Sequence, residues 1–279
     1  MLGFLFIIFS AFTHSLWNVL LKRSKNKYAF NFYMHFANIL FFTAIYPVVF
    51  RDYMYFDKGV VITAFIAAIF FSIYHLSVST AYKYADVSLV YPLTTASPFF
   101  IVIWAVIFLK EHLTVMGLSG IILTVLGTAV LNRVKGKWGE FGKGAAFALA
   151  GAFFYSFGAL MDKKGVGGGN FILYVYSMSL FMTMFIFVFS IRRGEITFNY
   201  IKEDRWWVVF AGLVVFGSFI SYRYGLNMVN LSYASALRQI STLFGVIMGI
   251  LFFKEKFTLY KILGTVIIMV GIVLIKIGM

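Results

Sequence analysis

The chain contains no cysteine among its 279 residues. Disulfide frameworks, thiolate metal sites and cysteine nucleophiles are therefore excluded. Proline is scarce, at three residues, and charged side chains make up 12% of the chain, against about 25% in an ordinary soluble domain. Acidic residues are the scarcest charges, ten against 24 basic ones. All ten lie in loops or near the ends of predicted helices. The sequence thus offers no paired carboxylates, metal cluster or nucleophile–base pair at depth. A membrane enzyme is set aside on that ground, no cofactor or metal is expected, and proton coupling through a midplane carboxylate is disfavoured. The rest of the composition is 62% hydrophobic and 20% aromatic, with a mean hydropathy of +0.91. A soluble globule has too little polar surface to cover so much apolar side chain. A disordered chain would be richer in charge and poorer in aromatics. The reading is a polytopic membrane protein, expected in the plasma membrane.

A bilayer core about 30 Å thick takes about 20 apolar residues per helix. Runs of that kind lie near 2–21, 29–50, 60–82, 87–109, 115–132, 142–161, 170–191, 206–226, 232–253 and 259–277. Backbone amides in lipid are bonded within their own segment, so these runs are helices. A transmembrane barrel would show alternating ten-residue segments instead. The first run lacks a basic leading stretch and reaches spanning length, so it reads as a membrane helix and not as a cleaved signal. The net charge of +14 sits in short loops between the runs, which points to the anionic lipid surface and not to nucleic acid.

The chain repeats itself. At a shift of 141, Ser15 meets Ser156, Lys22 meets Lys163, Phe30 meets Phe171, Tyr33 meets Tyr174 and Arg51 meets Arg192. Beyond the second loop the shift becomes 144. Lys110-Glu111 then meets Lys254-Glu255, Thr114 meets Thr258, Gly120 meets Gly264 and Gly127 meets Gly271. The repeats are expected to cover 1–137 and 138–279, with five helices each. Five is odd, so the second repeat enters the membrane the other way up. The expected fold class is an all-α membrane protein with ten transmembrane helices as two inverted five-helix repeats, a common plan of secondary transporters.

The two Lys-Glu turns, each followed by a helix with glycines seven apart, carry a family resemblance. With the ten-helix duplication, the chain resembles the EamA-type permeases of the drug/metabolite transporter superfamily over its whole length. The resemblance implies the fold, a transport role, and a cavity surrounded by the first four helices of each half with the fifth and tenth peripheral. Substrates in such families range over amino acids, metabolites and drugs. Orientation is read from charge: with the N-terminus outside, the cytoplasmic loops hold 16 Lys and Arg and the other side six. The positive-inside rule then places both termini outside, although many members of that superfamily are drawn with both inside.

Two of the three prolines, Pro92 and Pro98, open the fourth helix beside Tyr91 and Thr94. Proline removes a backbone donor, which a membrane helix tolerates where it faces a cavity or where hydroxyls serve the backbone. The functional reading is a kinked helix lining the pathway; the bland one is a packing kink. The matching segment of the ninth helix lacks both prolines but carries Arg238 and Gln239. A charge at that depth is costly. Arg238 is read as facing the cavity, while Arg223, near the end of the eighth helix, either faces the cavity or snorkels to the headgroups. A guanidinium fork binds carboxylate or phosphate. His14 and His75 lie near the middle of the first and third helices and His35 on the second. Any one histidine in such a setting is more often a hydrogen-bonded packing residue. If protons are used, His14 or His75 is the best-placed carrier, since the charge of histidine changes near neutral pH. Trp17, Tyr74, Tyr82, Tyr91, Trp104, Tyr155 and Tyr222 are candidate cavity walls, although packing is the commoner role for any one of them. Glu111 and Glu255 read mainly as charges that cap the next helix and fix the turn.

The leading expectation is a secondary transporter that exports or exchanges a small polar or amphipathic metabolite, with amino acids and organic anions favoured. The competing transport reading is an exporter of aromatic cations or drugs, or a flippase for lipid-linked cargo. Expected partners are the small-molecule substrate, the bilayer and protons where coupling exists. Monomer and homodimer both remain open.

Overall fold

The computed structural model describes the chain apart from residues 1, 85–92, 95, 132–141, 195, 197, 254–257 and 279. The described residues form helices and no strand. The first half contains α1 (Leu2–Arg23), α2 (Lys27–Val49), α3 (Lys58–Tyr84), α4 (Ser97–Leu109) and α5 (Val115–Leu131). The second contains α6 (Lys143–Val166), α7 (Phe171–Arg192), α8 (Phe198–Met228), α9 (Leu231–Leu237), α10 (Ile240–Phe253) and α11 (Leu259–Gly278). Eight spans are long and apolar enough to cross a membrane, with α9 and α10 counted as one, and α4 and α5 are shorter apolar helices. The ten apolar runs of the sequence are thus ten helical segments.

Local chemistry sets several of the ends. Asn26 accepts from the Tyr28 and Ala29 amides to cap α2, and Asn170 accepts from the Leu173 amide to cap α7. A side-chain oxygen there serves donors that have no partner inside the helix. Within the helices, Thr13, Thr128 and Ser221 return their hydroxyls to carbonyls one turn back, which lets them lie in an apolar interior. Pro98 lies in the first turn of α4, where a missing N–H costs nothing. The kink that the sequence reading placed at Pro92 and Pro98 falls partly on residues outside the described ones. Tyr91 and Pro92 fall outside the described residues.

Helices from the two halves pack in antiparallel pairs. Between α5 and α11 the backbones nearly touch: a Cβ at Gly120 would meet the Gly271 carbonyl oxygen at 2.6 Å, and one at Gly127 would meet the Gly264 carbonyl oxygen at 3.0 Å. Small residues permit that approach in a membrane. The α1–α8 pair is joined by the Ser10 hydroxyl donating to the Ser218 carbonyl over 3.0 Å, with Ile7 against Gly225 further along. The α3–α6 pair sets Phe71 against Gly158, Tyr74 against Gly151 and Ala81 with Ala148. In the α2–α7 pair, Phe32 meets Phe187 at 5.2 Å between ring centroids and Thr43 meets the Tyr176 hydroxyl at 3.2 Å.

Candidate functional site

The ninth span breaks without a proline. Arg238 is the C-cap of α9, Gln239 follows, and α10 starts at Ile240. The turn is tightened by Gln239 N–H to Ala236 and Ser241 N–H to Arg238. The Ser15 hydroxyl of α1 donates to the Ser241 carbonyl over 2.5 Å, which ties α1 to the first turn of α10. The break turns the Arg238 side chain into a cavity between the halves. The first half lines it with His14 and Trp17 of α1 and Phe71, Tyr74 and His75 of α3. The second half supplies Tyr155 of α6, Met182 of α7 and Phe219 and Arg223 of α8, besides Arg238.

Arg238 is held by three neighbours and none is an acid. Its Nη1 donates to the Tyr155 hydroxyl over 3.2 Å, its Nη2 lies 3.1 Å from His14 Nδ1, and its guanidinium carbon lies 4.1 Å from the Tyr222 ring centre. Arginine only donates. His14 Nδ1 is therefore the acceptor, and the neutral ring carries its proton on Nε2. Arg238 Nε and Trp17 Nε1 are buried and have no partner among the described residues. Both are donors only.

Arg223 is satisfied differently. Its Nη2 lies 3.0 Å from Asp162 Oδ2 and its Nε donates to Oδ1 over 3.1 Å, with both side chains buried. The Tyr174 hydroxyl adds a 2.6 Å bond to the same Oδ1. This fork ties α6, α7 and α8 together and neutralises Arg223. It settles the choice left by the sequence: Arg223 is buried in an ion pair and does not reach for the headgroups. The uncompensated charge of the cavity is that of Arg238. The cavity itself is about 40 Å³, room for a few waters and far below the roughly 300–1,000 Å³ of a drug-sized site.

A second polar cluster lies at the connection between α8 and α9. The Glu111 carboxylate accepts from the Leu231 and Ser232 amides at 2.6 and 3.1 Å, at the start of α9. Lys163 Nζ donates to the Leu226 and Val229 carbonyls at 2.7 and 2.8 Å, at the end of α8. The short connection that carries the chain towards Arg238 is thus clamped on both sides. Glu111 does cap a helix, but one in the other half, and not the helix that follows it in sequence. Glu255 lies outside the described residues.

The profile of the EamA-like transporter family matches residues 1–133 and 142–277. The chain belongs to the EamA-like transporter family. A relative from Bacillus subtilis (strain 168), described as the uncharacterized transporter YxxF, is 25% identical over 186 residues, which is 64% of this chain and 58% of that protein. The match spans less than two thirds of that relative's length. A solved crystal structure superposes with a TM-score of 0.78 at 15% identity, covering 99% of this chain and 95% of that one; the likeness is one of fold. Family and relative point to membrane transport and not to catalysis.

In this EamA-like protein the sequence candidates largely converge. His14, Trp17, His75, Tyr155, Arg223 and Arg238 line the same cavity. Thr94 and Gln239 are buried but do not line it. Trp104 instead donates from Nε1 to Ser156 at 2.8 Å. Asp162 was missed. It lies one turn from the end of α6, in an Asp-Lys-Lys run that looks like surface charge, and its partner is distant in sequence.

Proposed function

We propose that this EamA-like protein is a secondary transporter that moves a small carboxylate-bearing metabolite, an amino acid or an organic acid, by alternating access, as an exporter or exchanger. The observation that carries this is the pair of unpartnered donors, Trp17 Nε1 and Arg238 Nε, in one cavity with an uncompensated guanidinium. Buried donors without acceptors are costly, and an anionic oxygen is the complement they lack. The same charge opposes an aromatic cation. His14 and His75 are the proton-carrying candidates of this reading. Because His14 Nδ1 accepts from Arg238, protonating that atom would break the contact, which links His14 to the binding guanidinium.

Alternating access rests on inverted halves, and the packing supports them. Under the repeat shift, Ser10 against Ser218 becomes Gly151 against Tyr74, and Ile7 against Gly225 becomes Ala148 against Ala81. Phe32 against Phe187 becomes Tyr176 against Thr43, provided the shift is already 144 in the second helix. The Asn26 and Asn170 caps obey the same shift of 144. The three extra residues then fall in the Gly165–Gly169 connection, earlier than the sequence matches had placed them. The family match on either side of residues 134–141 supports the division at 137/138.

The test is counterflow in proteoliposomes across amino acids, organic acids and quaternary amines. The expected result is saturable exchange of a carboxylate-bearing solute that Arg238→Ala reduces by about tenfold or more, with thermal stability retained. Transport of a quaternary amine that is indifferent to Arg238→Ala would overturn the reading.

A further inference from the structure

The face of α2 that meets α7 and α8 is polar where it is most buried. Asn31, His35 and Asn38 follow one another at helical spacing and are 7%, 2% and 0% exposed. The Asn31 Oδ1, both ring nitrogens of His35 and both amide atoms of Asn38 have no partner among the described residues. Ser179 and Ser190 of α7 are equally buried and their hydroxyls are equally unpartnered. They fall along the stretch where α7 runs past α2. Tyr176 is level with Thr43, Thr183 Oγ1 is 3.5 Å from the His35 carbonyl, and Phe189 is beside Tyr28. Each buried polar atom without a partner costs most of the desolvation of a hydrogen bond. Seven in one seam would rival the net stability of a whole domain. Such groups are served by water where the site is polar. From Asn31 to Asn38 the seam extends about 10 Å along the helix axis.

The seam has an inner end in the cavity. The His35 and His75 rings stand edge to face with centroids 5.6 Å apart, and His75 lines the same cavity as Arg238. Around His35 are His75 from α3, the Thr183 hydroxyl of α7 at its carbonyl, and the Phe219 ring from α8 at 5.8 Å. Around His75 are Trp17 at 6.4 Å and Tyr74 at 5.2 Å. The full charges nearby are Arg223, which packs on Phe219 and is neutralised by Asp162, and Arg238, which is bonded to His14. His14 already accepts from Arg238, whereas both nitrogens of His35 are open.

We propose that the α2–α7 seam is filled by water and makes His35, with His75, a proton-binding pair in contact with the aqueous phase. This deepens the transporter reading and rests on it only for the use made of the proton, as the group that would couple solute movement to a proton gradient.

The test needs no solute. Exchange of the histidine C2 hydrogen into heavy water is followed by mass spectrometry on the full chain in lipid nanodiscs, between about pH 5 and pH 9. The exposed His112 is the internal reference. The expected result is exchange at His35 and His75 within about tenfold of His112, with a sigmoidal pH dependence. Exchange at His35 more than about tenfold slower than at His112 at every pH would overturn the proposal. It would leave the Arg238 site to be judged by counterflow. The double variant Asn31→Leu, Asn38→Leu gives a second measurement. A wet seam predicts slower exchange at His35; unchanged exchange with a raised melting temperature would mean the seam is dry and contradict it.

Discussion

Tyr155 stands one repeat length after His14, and both meet the guanidinium of Arg238, at 3.2 and 3.1 Å. In the proposed repeat, equivalent positions of the two halves hold one charge between them. If the halves move against each other, that charge is the point where the movement is felt. Tyr155→Phe removes one acceptor and leaves the ring in place. We expect the half-saturating concentration of the carboxylate solute to rise about fivefold, the worth of about one hydrogen bond, with the maximal rate little changed. A fall in maximal rate at constant half-saturation would assign Tyr155 to the movement and not to binding.

The buried fork between Arg223 and Asp162 predicts asymmetric thermodynamics. Breaking a buried pair leaves a lone charge and costs about 3–5 kcal/mol, whereas replacing both partners by apolar side chains is often near neutral. Asp162→Asn is expected to lower thermal stability in detergent strongly. Asp162→Leu combined with Arg223→Met is expected to recover most of the loss. Additive losses in the double variant would show that the two do not act as a pair.

Glu111 supplies a charged cap to α9 from across the halves. Glu111→Ala is expected to cost about 1–2 kcal/mol, as loss of a side-chain cap does. The loss should appear as earlier unfolding and as faster proteolysis between residues 226 and 232. Cleavage no faster than in the wild type would remove the capping role.

Gly271 faces backbone that has no room to yield. A Cβ there would meet the Gly120 carbonyl oxygen at 2.8 Å and the Thr124 amide nitrogen at 2.9 Å. Gly271→Ala is expected to cost about 1–3 kcal/mol by overpacking. Gly59→Ala, where the one near atom is Asp57 Oδ1 at 3.4 Å, is expected to be neutral or slightly stabilising, since alanine is the better helix former. Equal stability of the two variants would contradict the close α5–α11 contact.

Much of this was legible in the sequence, for identifiable reasons. Apolar runs of spanning length mark helices because lipid allows little else, and Arg238 stood out as a charge at depth on the helix that matches the proline-bearing fourth. Asp162 stayed hidden because a charge one turn from a helix end looks the same in sequence whether it faces water or an arginine on another helix. The break at Arg238 carries no proline or glycine to announce it; it is held by a tight turn and by Ser15 from α1. Glu111 was legible as a cap, but sequence order suggested the next helix, and only the packing shows that its partner is α9. His35 gives no local sign of its unpartnered nitrogens, because the periodicity of α2 shows which residues share a face and not what the neighbouring helix offers them.

The account depends most on the halves being inverted, and the cysteine-free chain makes that directly measurable. Lys25 and Lys164 are both exposed, Lys25 just after the first helix of the first half and Lys164 in the last turn of the first helix of the second. Single cysteines at each are labelled with a membrane-impermeant maleimide in sealed right-side-out and inside-out vesicles. The account predicts that each position is labelled in the vesicle type in which the other is protected; labelling of both from the same side would contradict it.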